Sequence, residues 1–119
     1  MKKSILVVDD ELEVAQAVGS ILEDEGYEVF SAGDGREAQE ALKRKLPDLI
    51  ITDIMMPHCN GYDLLRLVKS DDTYKNIPVV LMSAAQLKEI EVQPQNFLKK
   101  PFNLESLLLA VEKILGKGK

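Results

Sequence analysis

Apolar residues in this chain alternate between two spacings, and that alternation restricts the fold more than any other feature. Short runs that are apolar almost throughout are each followed by a stretch with apolar residues at helical spacing, the pattern of successive strand-helix units. The first unit is Ile5 to Val8, then Val14, Val18, Ile21 and Leu22 on one helix face that Gly26 ends. The second is Tyr27 to Ala32, then Ala38, Ala41 and Leu42, stopping before Pro47. Leu49 to Thr52 opens the third, with a loop holding Pro57 and Gly61 and a helix through Leu64, Leu65 and Val68; polar Asp71 to Asn76 is loop. Val79 to Met82 opens the fourth, whose helix, Gln86 to Val92, has room for only two turns before Pro94. Phe97 and Leu98 form a brief fifth strand ahead of the strongest stripe, Leu104, Leu107, Leu108, Val111, Ile114 and Leu115, with Asn103 as N-cap. Strands apolar on both faces and separated by helices predict a parallel sheet covered on both sides, an α/β three-layer sandwich of the doubly wound kind with a shortened fourth helix.

Length and charge narrow the function classes. A chain of 119 residues predicts one domain, its core from about residue 4 to 115. At 45% apolar and 29% charged it is composed like a globular protein rather than a disordered one. Fifteen basic against twenty acidic residues leave a net charge of −5, which disfavours attraction to phosphate backbones or anionic lipid. The expectation is no nucleic acid held by this domain alone and no membrane. The longest wholly apolar runs, such as Leu107 to Val111, are far shorter than a span requires. Met1-Lys2-Lys3 looks like the start of a leader, but the run after it is cut off by Asp9-Asp10-Glu11. The single Cys59 permits no internal disulfide, so the expected compartment is the cytoplasm.

In such sheets ligands bind beyond the carboxyl ends of the strands, so the residues that follow each strand matter most. Asp9 and Asp10 follow the first, Asp53 the third, Ser83 the fourth and Lys100 the fifth. If the first and third strands are neighbours, three carboxylates crowd together. At about 5 Å and an effective dielectric near 20, each pair repels by roughly 3 kcal/mol. A proton or a cation must offset that, and an all-oxygen site suits Mg²⁺. A metal-bound carboxylate beside a hydroxyl and an ammonium is a set of parts for phosphoryl transfer, with Asp53 as nucleophile.

These residues resemble the response-regulator receiver domains of two-component signalling, over Ile5 to about Leu115. Asp9-Asp10 resembles the acidic pair after the first strand, Asp53-Ile54-Met55-Met56-Pro57 with Gly61 the phosphoacceptor segment, Ser83-Ala84 the hydroxyl switch, and Lys100-Pro101-Phe102 the lysine-proline ending. The resemblance implies the strand order 2-1-3-4-5. It implies Asp53 as phosphoacceptor, Ser83 and Lys100 as partners of the phosphoryl group, and Asp10, Asp53 and the Met55 carbonyl, with Asp9 through water, as the groups that hold Mg²⁺. It also implies a cis Lys100-Pro101 bond and Phe97 as a rotating aromatic. The implied partners are a histidine kinase or phosphotransfer protein and a downstream protein or output domain. The implied role is a switch, not a conventional enzyme. One departure is that Lys100 comes only 17 positions after Ser83, shorter than the family's usual spacing. The missing length falls on the fourth helix.

Several other readings compete. Asp9-Asp10 could simply favour a helix N-terminus, Asp53 could be a solvated strand-end acid, Ser83 a loop hydroxyl and Lys100 a surface lysine. A Mg²⁺-dependent phosphatase with an aspartyl intermediate would place a second acid two residues after the nucleophile, where Met55 stands. A receiver-like interaction module indifferent to phosphorylation is a third possibility. Flavodoxin-like phosphate binding suffers from Asp9-Asp10-Glu11 at the loop that would hold it. Gly33-Asp34-Gly35-Arg36-Glu37-Ala38 loosely matches a dinucleotide fingerprint but places two acids where a pyrophosphate needs room. His58 and Cys59 have no second pair at zinc spacing and read as loop residues.

Overall fold

A computed structural model describes residues 2–54, 61–83, 97–99 and 103–116. Its elements run β1 (Ser4–Val8), α1 (Leu12–Asp24), β2 (Glu28–Ala32), α2 (Gly35–Arg44), β3 (Leu49–Asp53), α3 (Gly61–Ser70), β4 (Val79–Ser83), β5 (Phe97–Lys99) and α4 (Leu104–Leu115). The strands form one parallel sheet in the order β2-β1-β3-β4-β5, the predicted order. The predicted short helix over 86–92 lies outside the described residues.

Both faces of the sheet are covered, because neighbouring residues of a strand point to opposite sides. Ile5 and Val7 of β1 join Leu49 and Ile51 of β3 and Val80 and Met82 of β4 on the face covered by Ala15, Val18 and Leu22 of α1 and Leu107 and Val111 of α4. Leu6, Val8, Ile50, Val79 and Leu81 face the other way, onto Ala38, Ala41 and Leu42 of α2 and Leu64, Leu65 and Val68 of α3. This explains why the central strands read as continuous apolar runs instead of alternating ones.

Element ends follow local chemistry. Gly26, at a φ of 96°, turns the chain out of α1 in a conformation that L side chains rarely adopt. Tyr27, which the sequence suggested as the first residue of the second strand, instead precedes β2. It is buried, and its hydroxyl donates to the Gly116 carbonyl at 2.8 Å, tying the end of α4 to the base of β2. Gly61 opens α3 rather than closing the loop before it. At the outer edge of the sheet, Lys45 pairs with Glu28 and lies 6.0 Å from the Phe30 ring centre, placing charge over an otherwise open strand. Asn103 caps α4 as expected, accepting from the Ser106 N–H at 2.8 Å.

The glycine-rich stretch after β2 is a helix cap. Asp34 accepts from the Glu37 N–H at 2.8 Å, and Glu37 reaches back to the Gly33 N–H at 3.3 Å. Both acids thus serve the start of α2, in agreement with the rejection of a dinucleotide loop. Asp34→Ala should lower stability by about 1 kcal/mol, and Asp34→Asn should keep most of it. Urea denaturation of the two variants beside the parent checks this.

Candidate functional site

β1 and β3 are neighbours and end at the same level, with Val8 opposite Thr52. The residues immediately beyond therefore meet at one rim. One carboxylate oxygen from each of Asp9, Asp10 and Asp53 lies within 4.8 Å of the others. Asp9 and Asp53 are buried at 2% and 6% exposure, whereas Asp10 is exposed. Burial separates this group from an ordinary solvated acidic cluster, since carboxylates so placed need partners.

Local hydrogen bonds hold the acids in position. The Asp9 N–H donates to the Ala32 carbonyl at 3.1 Å, extending the β1-β2 ladder past the end of β1. Asp9 Oδ1 accepts the Glu11 N–H at 2.8 Å and bends the chain towards α1. The side chain of Glu11, the N-cap residue, makes no capping bond. Asp9 thus shapes the turn and also contributes to the acidic group, two roles that stand as alternatives in the sequence alone. Asp53, the last residue of β3, is in register with Met82 of β4, and the Ile54 N–H donates to the Met82 carbonyl at 3.1 Å. Thr52 Oγ1 donates to the Asp53 carbonyl at 3.0 Å. In the sequence Thr52 reads only as a strand residue, although a hydroxyl after Leu49, Ile50 and Ile51 is a visible signal.

The three predicted acids are together. Ser83 is the last residue of β4, one position past the partner of Asp53, and is itself in register with Lys99. Those registers bring the ends of β3, β4 and β5 to the same rim. Met55, His58, Cys59, Lys100 and Pro101 lie outside the described residues. Phe97 opens β5 and packs, partly buried, against the core on the α2 and α3 side.

The donor set suits a hard divalent cation. It is all oxygen, carries up to three negative charges and leaves one carboxylate facing water, features that favour Mg²⁺ over softer metals. Among the described residues no helix is long and apolar enough to cross a membrane.

Comparisons with known proteins agree with this fold. The family profile of the response regulator receiver domain matches residues 5–112. Response regulator Rre1 of Synechocystis sp. is 36% identical over 96% of this chain and 52% of its own length. The phosphate regulon transcriptional regulatory protein PhoB of Pseudomonas aeruginosa is 30% identical over 97% of this chain and 52% of its own. The chain thus spans about half the length of these curated relatives. Among solved structures, the chemotaxis response regulator CheY4 of Vibrio cholerae superposes with a TM-score of 0.85 at 32% identity, covering 97% of this chain and 100% of that one. The receiver domain of NtrX from Brucella abortus gives a TM-score of 0.80 at 33% identity, over 93% and 97%.

Proposed function

Since this chain belongs to the response regulator receiver domain family, we propose that it accepts a phosphoryl group on Asp53 and in doing so changes its affinity for a partner. The observation that carries this reading is the meeting of Asp9, Asp10 and Asp53 at the ends of β1 and β3, with two of the three buried. Asp9, Asp10 and Asp53, with the Met55 carbonyl by the resemblance, would hold Mg²⁺. When bound, the ion supplies positive charge that offsets the phosphoryl oxygens.

The chain's own residues do the rest. An Asp53 carboxylate oxygen attacks phosphorus, the bond from phosphorus to the donor's leaving atom breaks, and that atom departs with the electron pair. Ser83 donates a hydrogen bond to one phosphoryl oxygen and Lys100 an ammonium to another. Moving a two-state switch from 1:99 to 99:1 takes about 5.5 kcal/mol of differential stabilisation, and these two new contacts are its source. The donor is a histidine kinase or phosphotransfer protein. The receiving partner is a downstream protein or an output domain, an idea supported by relatives about twice as long, among them DNA-binding response regulators of Mycobacterium tuberculosis. Residues 1–119 are read as one cytoplasmic receiver domain, a signalling unit whose only chemistry is its own phosphorylation and dephosphorylation.

Incubation with acetyl phosphate and Mg²⁺ tests the reading. Intact mass should rise by one phosphoryl group, trypsin should confine it to the peptide over 46–66, and EDTA should suppress it. No gain, or label on another peptide, overturns the assignment.

A further inference from the structure

Thr52 is fully buried behind Leu49, Ile50 and Ile51, where valine would fill the same space. Burial alone therefore gives no reason for a hydroxyl there. That hydroxyl donates to the Asp53 carbonyl at 3.0 Å. At the other end of the same peptide group, the Ile54 N–H donates to the Met82 carbonyl at 3.1 Å. The peptide joining Asp53 to Ile54 is tied at both ends, once by a side chain and once by β4. The tie falls one residue beyond the last pair of the β1-β3 register, Val8 with Thr52. Fixing that peptide plane fixes the Asp53 Cα from which the carboxylate hangs, and displacements of about 1 Å at a reacting group cost up to about a hundredfold in rate.

We propose that Thr52 is a positioning residue for phosphoryl transfer: its hydroxyl, acting through the Asp53 carbonyl, holds the Asp53 carboxylate in line for attack. The proposal rests on the reading of Asp53 as phosphoacceptor. Its test is the initial rate of labelling by acetyl phosphate in Mg²⁺, over a range of donor concentrations, for the parent, Thr52→Val and Thr52→Ser. Urea midpoints and hydrogen exchange of the Ile54 amide are measured on the same three proteins. In Thr52→Val the maximal rate should fall about tenfold, with the half-saturating donor concentration unchanged within about twofold. Its Ile54 amide should exchange about threefold faster or more, because the same peptide has lost one tie. Thr52→Ser keeps the hydroxyl and should stay within about twofold of the parent in both. A merely structural role would move the urea midpoint of Thr52→Val and leave its rate alone. If the parent is labelled and Thr52→Val matches its rate, or Thr52→Ser is as slow as Thr52→Val, the positioning role falls by itself. If the parent takes no label, the reading of Asp53 falls and this role with it.

Discussion

In Asp53→Asn, phosphoryl transfer from acetyl phosphate should vanish while the fold becomes more stable in a metal-free buffer. The loss follows because the amide that replaces the carboxylate has no anionic oxygen to attack phosphorus. The gain in stability follows from the crowding of the acids. Charges within 4.8 Å of one another repel by about 3 kcal/mol per pair at an effective dielectric near 20. Water around the exposed Asp10 weakens its share, and hydrogen bonds offset part of the rest. The net gain should be about 1 to 3 kcal/mol. Urea denaturation in EDTA measures it. Added Mg²⁺ should then stabilise the parent more than the variant, since a ligand that binds only the folded state raises its stability. A variant less stable than the parent in EDTA would show that the acids are not in electrostatic conflict.

The largest loss of stability should come from a single leucine of α4. Leu107 is fully buried between this helix and the β1, β3 and β4 face of the sheet, while Leu109, two residues later, is 53% exposed. Leu107→Ala should cost about 2 to 5 kcal/mol through lost burial and the cavity it leaves, a large part of the roughly 5 to 15 kcal/mol typical of a domain. Leu109→Ala should stay within about 0.5 kcal/mol. Guanidinium denaturation of the two variants checks the contrast. A larger loss in Leu109→Ala than in Leu107→Ala would mean that the helix is seated the other way round.

Most of the fold is legible in the sequence because its strands are buried on both faces. Ile5 to Val8 and Val79 to Met82 announce themselves as short apolar runs, and the glycine at 26 marks the end of a helix. The order of the strands is not legible in that way, since every strand has the same apolar character. It came from the resemblance. The acids are legible because each follows a strand, and ligands collect at that end of a parallel sheet. Asp9 shows the limit of reading residues singly, for one carboxylate both bends the chain at Glu11 and joins the acidic group. The bond from Tyr27 to Gly116 was invisible for another reason. Its partners are 89 positions apart, and only the packing of α4 beside the base of β2 brings them together.

The interior place of β1, between β2 and β3, has a consequence for how the domain is assembled. First of the five strands along the chain, Ser4–Val8 pairs with β2 on one side and with β3 on the other. Along the sequence the chain completes one flank with β2, crosses back past β1 to β3 and extends the second flank outward to β5 at the far edge. Long crossovers of this kind make pairing slow relative to a helical bundle. A fault in that opening strand is inherited by both wings, whereas a fault in β5 spoils a single border.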